Sequence, residues 1–339
     1  MNWEISVPPY KVSDKIVNLI SSITEMIVEV KFTTNLNNNP RLRKDNRIKT
    51  IHNSLAIENN PLSIEQVTAI INGKRILGNP KDIREVENAY EAYDKILNFD
   101  PTSVDDFLLA HKSLMNDLIN NKEEGNFRDG AVGVFDQQTG EVIHMAPSSK
   151  MVPELVINLF KWLKETDAHP LIKSSVFHYE LEFIHPFADG NGRMGRMWQT
   201  LILSNWQDVF SYLPIESLIR ERQIEYYKVL RECDSEGEST KFIEYILLII
   251  LDSLVEAKEH KVTDNDIIQI LKGKYPDLKE NYIAVISLIY KDEHITNKEL
   301  AAKINKSDRT VARMIKVLKD KNIIERVGSK KNGKWVVNF

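Results

Sequence analysis

Apolar positions along this chain recur mainly at spacings of three and four, the period of helices with one buried face. Ile48, Ile51 and Leu55 form one such stripe, which Asn59, Asn60 and Pro61 bring to a stop. Ser63 with Gln66 three residues on predicts a capping box opening a helix through Val67, Ile70 and Ile71 and ending near Gly73. Further amphipathic segments are expected at 83–97, 104–119 and 152–163, and Ile172, Val176, Tyr179 and Phe183 mark one face of another. A helix at 193–206 follows a glycine-rich turn, and an apolar helix at 242–255 follows Gly237. One stretch breaks the period. Val132 and Val134 alternate about Gly133, Phe135 extends the run, 136–140 is polar and ends in glycine, and Val142, Ile143 and His144 are again β-prone, which predicts a small β-hairpin.

Residues 258–276 are more polar and include Gly273, so a domain boundary is expected there. Beyond it, Ile295 to Ala301 begins a short helix that Asn305 ends, and Ser307 caps a second helix through Val311, Ile315 and Leu318. The runs 323–327 and 334–337 read as two strands around a Lys/Gly turn. That order is a winged helix-turn-helix, with Arg309, Thr310 and Arg313 on the recognition helix.

Composition adds a charge asymmetry. The 339 residues, 42% apolar and 28% charged, describe an ordinary globular chain of about two domains. Its formal charge of −4 divides unevenly, because residues 296–339 hold twelve Lys/Arg against four acids. An end at +8 and a remainder at −12 point to different partners, with DNA a candidate for the basic end. A solvated basic face, or a winged module that binds protein, is the alternative. Cys233 is the single cysteine, so neither a disulfide framework nor a cysteine zinc site is expected. Residues 1–7 contain no basic residue and the longest apolar run, 245–251, is too short to span a bilayer, so a cytoplasmic, non-membrane protein is expected.

The chemistry concentrates in His185 to Arg196, HPFADGNGRMGR. Pro186 ends one helix, and Gly190, Asn191 and Gly192 turn tightly into the next, whose free N–H groups make an anion hole. Arg193 and Arg196 share the first helical turn and can reach phosphate oxygens. Asp189 stands just before the turn, where a carboxylate can hold Mg²⁺ against phosphates. His185 is the group suited to accept a proton near neutrality. Taken singly, each has an ordinary structural reading as turn, ion pair or core residue. No Gly-Lys-Ser/Thr follows the glycines, so this is not a Walker loop.

Together these residues match every fixed position of the Fic signature, HxFx(D/E)GNGRxxR, and the likeness extends over roughly residues 41–250. The resemblance implies a mainly α fold: a Fic-type helical bundle with a β-hairpin flap, here followed by a small C-terminal winged-helix domain. The expected limits are 1–110 for an N-terminal helical region, 111–257 for the catalytic core and 275–339 for the winged helix. The resemblance implies that the chain would transfer AMP from ATP to a Ser, Thr or Tyr hydroxyl of a protein. His185 would be the base, Asp189 the Mg²⁺ ligand, Gly190, Asn191, Gly192 and Arg193 the phosphate cradle, and Arg196 the γ-phosphate clamp. Phe187 would pack the loop, and the flap residues Val134, Phe135, Ile143 and His144 would pin a target's main chain. Tyr226, Tyr227 and Asp234 resemble the adenine end of related sites, where members often carry Asn at the position of Asp234.

Ser54 to Asn59, SLAIEN, resembles the family's inhibitory motif (S/T)xxxE(G/N). Ser54 and Glu58 share a helix face, and a Glu58 carboxylate paired with Arg196 would take the guanidinium meant for ATP. Alternatives to transfer are a DNA-binding regulator with a silent Fic-like body, and a Fic enzyme that removes AMP from modified protein. Homo-oligomerisation is compatible with either.

Overall fold

The computed structural model describes residues 7–34, 40–135, 142–259, 268, 271–272, 275, 277–328 and 333–337. The chain divides into two compact units, residues 1–33 with 45–259 and residues 34–44 with 260–339. Apart from residues 34 and 40–44, the first unit holds α1 (Asp14–Thr34) and α2 (Pro40–Ile57). It continues through α3 (Ile64–Ile71), α4 (Pro80–Asp94), α5 (Val104–Met115), α6 (Val152–Glu165), α7 (Pro170–Ile184) and α8 (Asn191–Trp206), and ends with α9 (Ile215–Glu221), α10 (Gln223–Glu236) and α11 (Thr240–Glu259). The fold is mainly α, as the residue pattern implies.

Local chemistry explains several boundaries. Ser63 and Gln66 form the expected capping box on α3. Prolines at the first turns of α4, α6 and α7 begin helices where no N–H donor is needed. The segment expected at 83–97 splits into α4 and a 3₁₀ turn, Ile96–Asn98. The helix expected at 104–119 stops at Met115, because Asn116 turns to ψ 124° and Asp117 adopts φ 60°. α5 runs across residue 110, and the helices before it share one compact unit with the rest of the body.

The core behind the signature is aromatic. The Phe107 ring of α5 lies 5.2 Å from Phe160 of α6, 6.4 Å from Phe177 of α7 and 5.1 Å from both Phe187 and Trp198. Such tilted and edge-on pairs each add roughly 0.5–1.5 kcal/mol beyond area burial. Phe187, fully buried, thereby anchors the loop between α7 and α8. Gly195 lets α7 and α8 approach, since a Cβ there would sit 2.8 Å from His178 Cδ2.

The hairpin pairs β1 (Gly133–Phe135) antiparallel with β2 (Val142–Met145), with Gly133 opposite Met145, Val134 opposite His144 and a register shift after Val134. Its expected turn at 136–140 and the side chains of Val134, Phe135, Ile143 and His144 lie outside the described residues.

The second unit contains α12 (Glu280–Lys291), α13 (Asn297–Lys303), α14 (Asp308–Asp320) and the antiparallel pair β3 (Ile324–Val327) and β4 (Lys334–Val337). Thr296 and Glu299 cap α13 reciprocally, and Ser307 caps α14. Leu300, Val311, Met314, Ile315, Leu318 and Trp335 form its core, and the Trp335 indole N–H donates to the Ile295 carbonyl at 3.1 Å. This is the winged helix-turn-helix order. Among the described residues, no helix is long and apolar enough to cross a membrane.

Candidate active site

α7 ends in a residue with left-handed backbone: His185, at φ 49° and ψ 61°. Such a conformation costs a non-glycine residue on the order of 1–3 kcal/mol and persists where surrounding contacts fix it. The His185 N–H donates to Leu181 O at 2.9 Å, and Arg128 Nε donates to His185 O at 2.7 Å. His185 Nδ1 lies 3.3 Å from the Glu182 carbonyl. A carbonyl only accepts, so this contact places the proton on Nδ1 and makes Nε2 the basic nitrogen.

The following loop is tied by its own side chains. Asn191 accepts from the Phe187 N–H at 2.9 Å and donates back to the Phe187 carbonyl at 3.0 Å. Gly190 takes φ 85° at the N-cap of α8, so a side chain there would be strained and would also meet Met115 Sδ. Asp189 Oδ1 accepts from the Gly190 N–H at 2.6 Å and from Arg193 Nη2 at 3.0 Å.

His111 supports the loop from below. Its ring stacks on Phe187 at 3.6 Å, its Nδ1 accepts from the Gly125 N–H at 3.0 Å, and its Nε2 therefore donates to the Asp189 carbonyl at 3.0 Å. Burial pushes its pKa down to about 4, so it is the neutral tautomer that holds Asp189.

These residues border a cavity of about 250 Å³ lined by His185, Ala188, Asp189, Gly190, Asn191, Gly192, Arg196, Tyr226, Tyr227, Glu58, Glu182 and the hairpin base at Val132 and Gly133. Most of the expected site residues thus meet in one place. Arg193 stands behind it, 5% exposed, between Asp189 and Glu85 of α4. Asp234 lies outside the lining and accepts from the Tyr179 hydroxyl at 3.0 Å. Tyr226 is buried, with its hydroxyl 3.1 Å from His178 Nε2, while His178 Nδ1 lies 2.7 Å from Gln199 Oε1. Burial, aided by the Arg196 charge, pushes the His178 pKa down to about 3.

Arg196 is 2% exposed, and α2 occupies its guanidinium. Nε donates to Ser54 Oγ and Nη2 to Ser54 O, both at 3.1 Å, and Nη2 donates to Glu58 Oε1 at 2.6 Å. Burial alone would lower the Arg196 pKa; the Glu58 carboxylate outweighs it, and the net shift is upward. Gln223 of α10 donates to the Ile57 carbonyl at 3.0 Å, so the end of α2 is itself held in place.

The matches agree with this geometry. Residues 101–203 fit the Fic/DOC family model, and residues 279–325 fit the model described as winged helix-turn-helix DNA-binding. The crystal structure of a Fic family protein from Desulfovibrio desulfuricans G20 is 40% identical, with TM-score 0.72 and coverage of 98% of both chains. The chain belongs to the Fic family. Curated relatives of this Fic protein include Protein adenylyltransferase fic-1 of Caenorhabditis elegans, 27% identical over 219 residues. Another is Protein adenylyltransferase Fic of Nematostella vectensis, 25% identical over 217 residues. Each match covers 61% of this chain and 40% and 47% of those proteins, so this Fic protein spans less than half the length of either. A solved Fic-1 structure from C. elegans shares the fold at TM-score 0.56 and 24% identity, covering 71% of this chain and 70% of that one.

Residues outside the signature complete the site: Glu182, His178, Gln199, His111 and Arg128. Glu182 had a local signal, three positions before His185 on the same helix. His111 and Arg128 had none, since they reach the loop from residues 57 or more positions away.

Proposed function

We propose that this Fic protein is a protein adenylyltransferase that moves AMP from ATP to a Ser, Thr or Tyr hydroxyl, and that Glu58 restrains it. The observation that carries the reading is the shared cavity of His185, the Gly190–Gly192 turn at the start of α8, and Arg196. The target hydroxyl oxygen attacks the α-phosphorus as its proton passes to His185 Nε2. The bond from that phosphorus to the bridging oxygen breaks, and pyrophosphate leaves. Backbone N–H groups of the turn meet charge building on the phosphates, where fixed dipoles need no reorganisation. Arg196 holds the γ-phosphate in line, a matter of positioning rather than covalent chemistry.

Mg²⁺ fits Asp189 as a nucleotide-borne ion. The side chain is about half exposed beside the turn, and the described residues include no cluster of three or more ligating side chains that would cage a metal. Bound there with phosphate oxygens and water, Mg²⁺ would neutralise phosphate charge. The test is incubation of Glu58→Gly protein with α-labelled ATP, Mg²⁺ and candidate proteins. Label transfer that needs His185 supports the reading, and no transfer to any protein, itself included, rejects it.

For the second unit the reading is DNA binding, favoured by Arg309, Arg313 and Lys316, which are exposed along one face of α14.

A further inference from the structure

Two loops that the proposed chemistry must keep in register converge on one side chain. Arg128, 4% exposed, donates from Nε to His185 O at 2.7 Å, from Nη2 to Pro147 O at 2.6 Å and to Ile184 O at 3.3 Å, and from Nη1 to Gly130 O at 2.7 Å. Its own N–H donates to Pro186 O at 2.9 Å. Ile184 and His185 close α7, where a helix leaves carbonyls without partners. Gly130 and Pro147 bracket the hairpin, whose base is closed by the Ala146 N–H on Val132 O at 3.2 Å.

We propose that Arg128 is a positioning residue: one guanidinium sets both the left-handed backbone of His185 and the seat of the β1–β2 hairpin. The rate measurements below rest on the adenylyltransferase reading; the exchange measurements do not.

The guanidinium is planar, with donors fixed in a fork, so the two loops it joins cannot shift independently without breaking a bond. Burial lowers its pKa, and its side-chain hydrogen bonds among the described residues go to backbone carbonyls. A buried charge answered by carbonyl dipoles is costly, and an apolar side chain would fill the space with less penalty. What the apolar plug could not do is tie residues 184–185 to residues 130 and 147. A lysine keeps the charge but replaces the fork with a point donor. None of these bonds reaches the Gly190–Gly192 turn or Arg196, so ATP binding is separable from the alignment of His185 with a target lying against the hairpin.

The experiment compares Arg128→Lys and Arg128→Ala, each in the Glu58→Gly chain. Transfer rate, ATP dissociation constant and amide exchange are measured for each. The rate should fall about 10²-fold, the scale of a misplacement near 1 Å, with ATP affinity unchanged within about twofold. Exchange should quicken at the His185 and Ala146 amides and stay as it was at Leu201, in the middle of α8. Millimolar guanidinium should restore part of the rate to Arg128→Ala and none to Arg128→Lys. Loss of ATP affinity in step with rate, exchange unchanged at both loop amides, or exchange quickened at Leu201 as well, each overturns the proposal. Should Arg128→Ala fail to fold, Arg128→Lys decides alone. Should Glu58→Gly with Arg128 intact transfer nothing, the adenylyltransferase reading has failed, and the exchange pattern still decides the role of Arg128.

Discussion

Arg196 and Glu58, 138 positions apart in sequence, meet at 2.6 Å in the cavity that holds the Fic signature. With Ser54 also accepting from the same guanidinium, the end of α2 and Glu58 just beyond it engage Nε and Nη2, donors that the proposed reading assigns to a γ-phosphate. Glu58→Gly should therefore raise automodification by about 10²-fold at matched ATP, the scale set by misplacing reacting groups. Ser54→Ala should act in the same direction but more weakly, because the charged contact remains. Arg196→Ala should not mimic release, since the clamp is lost with the brake's anchor. A folded Glu58→Gly protein no faster than wild type would show that Glu58 does not restrain transfer.

The base is tested separately. His185→Ala in the Glu58→Gly chain should lower transfer by roughly 10²- to 10⁴-fold, the usual contribution of a positioned general base. ATP affinity should change little, because the proposed function assigns the phosphates to the turn and Arg196. Titration calorimetry on both proteins reads the affinity. Undiminished transfer would move the proton acceptor elsewhere, and lost ATP binding would make His185 a structural residue.

The candidate loop was legible because its residues are consecutive: a histidine, a carboxylate, three glycines and two arginines fall within twelve positions, and the fold gathers most of them on one cavity. The contact of Ser54 and Glu58 with Arg196 was legible for a different reason, their short spacing at the end of α2. What was not legible is support by residues distant in sequence. His111 fixes Asp189 through a backbone carbonyl, and any buried donor at that point would satisfy it, so no local pattern marks it. Arg193 reads as a phosphate ligand in the linear motif, yet the fold turns it toward Asp189 and Glu85. Asp234 falls on α10 beside Tyr179, a partnership set by helix packing that spacing alone does not reveal. Helix ends moved where single residues left helical geometry, as at Asn116. Within the expected N-terminal helical region the helix Asp14–Thr34 was not singled out, although Ile16, Ile23, Ile27 and Val30 form its buried face.

Glu216 gives a pH-dependent prediction. It is 2% exposed on α9 and accepts from the Tyr93 hydroxyl at 3.3 Å. Burial, opposed in part by a backbone hydrogen bond and the Arg196 charge, pushes its pKa from 4.5 up to about 7. The folded chain then binds more protons than the unfolded chain between those values, so this residue's contribution to stability falls as pH rises through that window. The full difference is roughly 3 kcal/mol. Glu216→Gln should flatten the decline in melting temperature between about pH 5 and pH 8 and leave the mutant more stable than wild type at the upper end. Parallel melting curves across that range would show that Glu216 titrates normally.

The last prediction concerns α14. Arg309, Arg313 and Lys316 follow the helical repeat on its exposed side, while Val311, Met314, Ile315 and Leu318 face the core. Ser307 caps the same helix, so its N-terminal N–H groups add positive character next to Arg309. If this face meets a duplex, each phosphate neutralised releases condensed counterions and contributes about 0.9 to the slope of log affinity against log salt. The full chain should bind duplex DNA with an affinity that falls steeply between about 50 and 200 mM salt. Replacing all three residues with alanine should weaken binding at the lower salt and reduce the slope by about 3 if each contacts one phosphate. Melting should change little, because the side chains point away from the core. Fluorescence anisotropy on a labelled duplex reads both quantities. Binding that ignores salt, or a slope the triple substitution leaves intact, would assign this face to a protein partner instead.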